Sequence, residues 1–281
     1  MPNIAVINGK FMLLASAKVS VEDRGFLFGD GIYELIRSHE GQLFQLDEHL
    51  RRMERSAQAI RLDLRHSRQD WKRLIAKALE RSRIREAKIY IEVTRGAAPR
   101  GHAFPQKAAS TTVITVRSFE RMPERFRRRG VRAITAPDLR WGRCDIKSLN
   151  LLPNILAKQQ AVESGAFEAI FIRSGQVTEG TSSNVFAVFG DAVVTSPTGP
   201  TILSGVTREM VLELTRSQGL KAEERVITSR DLLQADEVFL TGTTVEVLGV
   251  IQVDQTTIGT GKPGRTTQQL YRRLQEAMRR P

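Results

Sequence analysis

The feature that most constrains the fold is a break in the hydrophobic pattern at residues 118–130. This stretch is polar, contains Pro123 and ends in Gly130, while the segments on either side carry strand-like and helix-like periodicities. Before the break, Ile32-Tyr33-Glu34-Leu35-Ile36 reads as a strand. Asp47 reads as the N-cap of a helix bearing Leu50, Met53, Ala57 and Ile60. A second helix is expected over 68–82, with Trp71, Leu74, Ile75, Ala78 and Leu79 on one side, followed by strands at 89–94 and 111–117. After the break, strands fit 131–136, 168–173, 184–189, 192–195, 222–227, 236–241 and 247–253, and helices fit 151–164, 207–218 and 266–279. Both halves mix the two element types without a regular βαβ period. The expectation is therefore an α/β (α+β) chain of two domains, 1–120 and a larger 131–281, joined by a linker at 121–130, with a ligand site in the cleft between them.

Composition removes several classes. The 281 residues include one cysteine, Cys144, so an internal disulfide framework and a cysteine-based zinc site are excluded. His39, His49 and His66 show no metal-binding spacing, and no metal is expected. No apolar stretch approaches the roughly 20 residues that span a bilayer, and Met1-Pro2-Asn3-Ile4-Ala5-Val6 lacks the pattern of a secretion signal. A cytoplasmic protein without membrane partners is the expectation. A net charge of +12 would suit nucleic acid. The densest basic run, Arg125-Phe126-Arg127-Arg128-Arg129-Gly130, has one aromatic residue and no repeating basic–aromatic pattern. It reads as a solvated linker, and no nucleic-acid partner is expected.

The residues that suggest chemistry begin with Lys147, in Arg140-Trp141-Gly142-Arg143-Cys144-Asp145-Ile146-Lys147-Ser148-Leu149-Asn150. Apolar and aromatic neighbours favour a neutral amine by desolvation, and a neutral amine forms Schiff bases with aldehydes. Glu179, in Thr178-Glu179-Gly180-Thr181-Ser182-Ser183-Asn184, lies between two strand-like runs. Read locally it is first a solvent-facing turn acid with a capping role, and at a strand end it could instead pair with a pyridinium nitrogen. Ser204-Gly205-Val206-Thr207 opens a helix whose unpaired N–H groups would suit a phosphate or would simply be capped. Gly242-Thr243-Thr244 offers a second hydroxyl-rich turn. Arg100-Gly101-His102 reads as a loop able to bind a carboxylate or as an ordinary polar loop. Arg52 reads as a charge on a polar helix face and Tyr33 as a half-buried strand residue. No G-x-S-x-G, Walker-type or dinucleotide fingerprint occurs.

In order along the chain, four motifs resemble the fold-type IV pyridoxal-phosphate aminotransferases. They are Asp23 to Glu34 (DRGFLFGDGIYE), Val93 to Pro105 (VTRGAAPRGHAFP), Arg140 to Leu152, and Val177 to Phe186. The resemblance covers most of the chain and is greatest toward members acting on D-amino acids. It implies pyridoxal 5'-phosphate as cofactor, with Lys147 as the Schiff-base lysine and proton shuttle and Glu179 as partner of the pyridine nitrogen. It implies Arg52, Val206, Thr207 and Thr243 as phosphate contacts. Tyr33, Arg100 and His102 match a substrate-carboxylate site to which the neighbouring subunit supplies the arginine and histidine, so a homodimer is expected. The implied reaction is ping-pong transamination of D-amino acids such as D-alanine, with 2-oxoglutarate as acceptor. Gly242 and Thr181 stand where serine is common. A branched-chain L-aminotransferase and an aminodeoxychorismate lyase of the same fold are the alternatives.

Overall fold

The structure is a computed structural model and describes residues 3–279. Met1, Pro2, Arg280 and Pro281 lie outside the described residues, as does the part of the Met1–Val6 reading that falls on the first two. The chain forms two compact units. The first holds residues 1–120 together with Ile146–Asn150, and the second holds Arg121–Asp145 and everything from Leu151 onward.

Among the described residues, the first unit is built on a six-stranded sheet. Its strands are β1 (Ile4–Ile7), β2 (Lys10–Leu13), β3 (Gly31–His39), β4 (Gln42–Leu43), β5 (Ala87–Thr94) and β6 (Thr111–Ser118), ordered β2-β1-β6-β5-β3-β4. Every pairing is antiparallel. A short helix α1 (Arg24–Phe28) precedes β3, and α2 (Leu46–Ala59) and α3 (Arg68–Ser82) lie between β4 and β5. Alternation decides the faces. Ile32 and Ile36 of β3, Ile89, Ile91 and Val93 of β5, and Ile114 and Val116 of β6 are buried with Leu50, Met53 and Ala57 of α2 and Trp71, Ile75 and Ala78 of α3. Tyr33, Leu35, Tyr90 and Glu92 occupy the other face and stay half-buried. The expected Asp47 N-cap is corrected: Gln45 is the N-cap, and Asp47 sits in the first turn, paired with Lys72 at 2.5 Å. An acid one turn from the helix start still favours the helix dipole.

The second unit contains α4 (Glu124–Arg129), β7 (Val131–Pro137), α5 (Leu152–Glu163), β8 (Glu168–Arg173), β9 (Gln176–Gly180), β10 (Asn184–Phe189) and β11 (Ala192–Thr195). These are followed by α6 (Val206–Ser217), β12 (Lys221–Glu224), α7 (Ser229–Gln234), β13 (Glu237–Gly242), β14 (Glu246–Val253), β15 (Thr256–Thr257) and α8 (Arg265–Arg279). The strands form a mixed sheet ordered β12-β11-β10-β13-β14-β7-β8-β9, with β15 on β14. Its core includes Ile170, Val185, Ala187, Val194, Val238, Leu240 and Leu248.

Two expectations change here. Residues 121–130 are not only a solvated linker: they carry α4, and Arg127 is half-buried with its guanidinium covered. Its guanidinium donates to the Val245 and Val247 carbonyls at 2.7 and 2.6 Å and pairs with Glu246 at 2.6 Å. The expected 131–281 domain includes Lys147, whereas Ile146–Asn150 group with the first unit. The cause is a short backbone pairing: Tyr33 N–H donates to the Lys147 carbonyl (3.0 Å), Leu149 N–H donates to the Gly31 carbonyl (3.1 Å), and Ile146 is buried in the first core. The segment thus extends the sheet beside the first half of β3.

Candidate active site

In the first unit, the added 146–150 segment places Lys147 against Tyr33. The Lys147 Nζ lies 4.2 Å from the centre of the Tyr33 ring, and the Lys147 backbone N–H donates to Ser56 Oγ at 3.2 Å. Tyr33 stacks on Tyr90 at 5.6 Å, and the Tyr90 hydroxyl donates to Glu92 at 2.8 Å. Burial, with the neighbouring Glu92, pushes the Tyr90 hydroxyl far above its ordinary value, so it stays protonated.

Arg52 is not a solvated charge, because it is buried against Glu34. Its Nε and Nη2 donate to the two Glu34 oxygens at 2.7 and 2.8 Å, and His49 Nδ1 donates to the same carboxylate at 2.9 Å. Glu34 is fully buried, on the Ile32–Ile36 face of β3. Burial alone would raise its pKa, but Arg52 and His49 outweigh that and hold it well below the usual carboxylate range. Burial lowers the His49 pKa, and the nearby Arg52 and Lys147 charges add to the effect, so the imidazole is neutral at neutral pH. Glu34 and His49 were missed in the sequence. The signal was a carboxylate on the apolar face of a strand, with a histidine and an arginine three residues apart on the facing helix.

Arg100 and His102 lie on an exposed loop after β5. Their side chains contact Phe28, with the Arg100 guanidinium 5.2 Å from its ring and the His102 ring edge-on at 5.7 Å. Among the described residues neither side chain has a hydrogen bond or ion pair, which leaves both available to an anion.

In the second unit, Glu179 is buried inside β9 and not in a turn. Arg140 pairs with its Oε1, while the Leu203 N–H (3.0 Å) and the Asn184 side-chain amide (3.3 Å) donate to Oε2. Arg140 is fixed in turn by Asp138, with Nε and Nη2 each at 2.8 Å, and lies over the Phe171 ring at 4.5 Å. Burial opposes charge on this arginine, but Asp138 and Glu179 overcome it and raise its pKa. Arg140, Asp138 and Asn184 were missed as members of the site. Arg140 and Asp138 lie about 40 residues from Glu179 and form no local pattern with it, whereas Asn184 is in the same run, five residues on, and could have been found there.

The start of α6 belongs to the same unit. Gly205 is its N-cap and supplies no side-chain hydrogen bond, so the leading N–H groups of Val206 and Thr207 remain for another acceptor. A Cβ at Gly205 would stand 2.0 Å from Asn184 Oδ1, so only glycine permits this approach. Thr243 sits half-buried in the turn joining β13 to β14. Cys144 is buried and free, with its thiol pushed up to about 11 by burial, which makes it unreactive at neutral pH. No group of three or more His, Cys, Asp or Glu among the described residues could hold a metal ion, and no helix there is long and apolar enough to cross a membrane.

The first unit thus sets a lysine on an aromatic ring, and the second carries a buried carboxylate held by arginine and amides and an uncapped helix start. Residues 31–253 match the amino-transferase class IV family, and the chain belongs to it. The D-alanine aminotransferase of Bacillus licheniformis is 46% identical over 274 residues, covering 97% of this chain and 96% of its own length. That of Staphylococcus haemolyticus is 43% identical over 265 residues, 94% of each. The fold is fold-type IV. A solved branched-chain amino acid aminotransferase of T.th., carrying pyridoxamine 5'-phosphate, has a TM-score of 0.92 at 28% identity, covering 100% of this chain and 96% of that one.

Proposed function

We propose that this chain transaminates D-amino acids, D-alanine or a close relative, with 2-oxoglutarate as amino acceptor. One observation carries the reading. The chain is 46% identical to a D-alanine aminotransferase over nearly its whole length, and among the described residues neither the Arg100 nor the His102 side chain has a hydrogen bond or ion pair.

Pyridoxal 5'-phosphate is the cofactor of this class, and the residues present fit it. Lys147 would hold it through Nζ. Glu179, whose charge is fixed by Arg140 and two amide donors, would hold the proton on its ring nitrogen. Val206, Thr207, Thr243 and Arg52 would hold its phosphate. When bound, the group supplies an electron sink for the charge left on the substrate's Cα. Lys147 Nζ takes the proton from Cα and returns it as the general acid–base of the half-reactions. Tyr33, with Arg100 and His102 contributed to the neighbouring subunit's site, fixes the substrate carboxylate. That fixes which face of Cα meets the lysine, and so the handedness.

A homodimer follows from this reading. Support comes from α5, where Leu152, Ile155 and Leu156 form an exposed apolar face at spacings of three and four residues. A cytoplasmic location belongs to the same proposal. The second reading, a branched-chain L-aminotransferase, is favoured by the 28%-identical structure of that activity.

The test is spectroscopic. The purified protein should be yellow, and its absorption should shift on adding D-alanine. A colourless protein that binds RNA in a strongly salt-dependent way would end the proposal.

A further inference from the structure

Residues 99–105 have no strand or helix to hold them, yet they carry the two side chains assigned to the substrate carboxylate. A buried side chain binds the backbone of the loop. Arg24 is only 4% exposed, and its guanidinium donates to three successive carbonyls of the loop. Nη1 reaches Gly101 at 2.5 Å and Ala103 at 3.3 Å, and Nη2 reaches His102 at 3.3 Å. Its Nε is bonded to Asp30 at 2.8 Å. Asp30 is also bound by Arg95, through Nε at 2.9 Å and Nη2 at 3.0 Å. Arg95 is itself anchored to the Ile60 and Arg61 carbonyls, both at 2.8 Å, and its guanidinium covers the Phe104 ring at 3.7 Å.

We propose that Arg24 is the positioning residue of the carboxylate site: it sets the conformation of the Arg100–His102 loop, braced by Asp30 and Arg95, without touching substrate. The proposal rests on the reading of Arg100 and His102 as that site.

Three features support it. Only backbone carbonyls of the loop are used by the clamp, so the Arg100 and His102 side chains remain unpaired. Phe28 joins the two layers, with the Arg24 guanidinium 4.9 Å from its ring centre and Arg100 and His102 also against that ring. Arg24, Asp30 and Arg95 together carry one net positive charge, so the clamp itself does not repel an incoming anion. Reaching three carbonyls and a carboxylate at once needs the planar five-donor fork of arginine, and the three-donor ammonium of lysine cannot reproduce it.

The experiment compares holoenzyme with Arg24→Lys, Asp30→Asn, Arg100→Ala and the double variant Arg24→Lys/Arg100→Ala. KM and kcat are measured for D-alanine and 2-oxoglutarate, with cofactor content read by absorbance and folding by thermal unfolding. Arg24→Lys should raise both KM values about tenfold and change kcat less than about twofold, with cofactor content unaltered. In the Arg100→Ala background it should add almost nothing, because the group it positions is gone. Asp30→Asn should show the same split more weakly, and it carries the test if Arg24→Lys does not fold. An Arg24→Lys enzyme with unchanged KM, or with kcat and cofactor content falling together, overturns the clamp. Additive effects in the double variant overturn it as well. Should Arg100→Ala itself leave KM unchanged, the carboxylate reading fails instead.

Discussion

The two units solve opposite electrostatic problems. In the first, the groups proposed to act are cations, Lys147, Arg52 and Arg100, and acids organise the arginines or their supports: buried Glu34 holds Arg52, and half-buried Asp30 braces the proposed clamp under Arg100. In the second, the group proposed to act is an acid, Glu179, and a buried arginine organises it while Asp138 balances that arginine's charge. A buried ion pair is poor evidence for stability, since the desolvation of both ions offsets their attraction. Its use in both units is better explained by orientation. A planar guanidinium bound at two edges has one position, and so does the carboxylate it grips.

The comparison breaks most completely at Lys147. Lys147→Ala should reduce transamination by at least about a thousandfold, as expected for loss of both the nucleophile and the proton carrier. Circular dichroism should remain that of the parent, because the backbone bonds to Tyr33 and Ser56 do not need the side chain. Near-normal turnover would remove the assignment. Next comes the acid of the second unit. Glu179→Gln keeps the shape and one acceptor but loses the charge, and kcat should fall about a hundredfold, in the range for losing one key electrostatic contact. A loss of less than about twofold would mean that Glu179 does not hold the ring proton.

Breaking the equivalent pair in the first unit should act on stability as well as cofactor retention. Glu34→Gln leaves Arg52 buried without its counter-charge and should cost about 3–5 kcal/mol, read as a lower denaturation midpoint. Acid should act on the same cluster. His49 and Glu34 both have folded-state pKa values below their ordinary ones, 6.5 and 4.5. For a depressed group the stabilisation is complete above the unfolded value and is lost as pH falls. Stability should therefore be level above about pH 6.5 and begin to fall below it as the unfolded state takes up protons on His49. The loss should steepen below about pH 4.5 as Glu34 joins. His49→Gln should flatten the curve between about pH 5 and pH 6.5, and an unchanged slope there would exclude His49 as the cause.

The smallest effect concerns Gly242. A Cβ there would meet Val245 Cγ2 at 3.3 Å and the Ser182 carbonyl at 3.4 Å, so a small adjustment of the valine admits it. Gly242→Ser should cost less than about 1 kcal/mol of stability and slow cofactor loss on dialysis a few-fold, by restoring a hydroxyl beside Thr243. Faster loss would show that the serine displaces the turn.

Much of the fold was legible because it rests on local periodicity. Leu50, Met53 and Ala57 on α2, Trp71, Ile75 and Ala78 on α3, and alternation in β3 and β5 fall where their spacing puts them. The candidate site was legible through its motifs, which name Lys147, Glu179 and the Arg100–His102 loop. What stayed hidden depends on partners far along the chain. Lys147 belongs with the first unit because its segment pairs with β3, more than 110 residues earlier. Glu179 looked like a turn residue because Thr178, Glu179 and Gly180 form a polar run with little strand character, and pairing with β8 overrides that preference. Arg127 looked solvated because the carbonyls that bind it are 118 and 120 residues away. In each case a polar residue is placed by a long-range contact that no local window contains.

In the proposed reaction the Arg100–His102 loop of the neighbouring subunit fixes the substrate carboxylate so that Lys147 reaches the Cα proton of the D enantiomer. A donor panel tests it most directly: D-alanine, D-glutamate, L-leucine and L-glutamate, each paired with 2-oxoglutarate or pyruvate. Turnover with D-alanine and D-glutamate is the expected result. Activity confined to L-leucine and L-glutamate would contradict it.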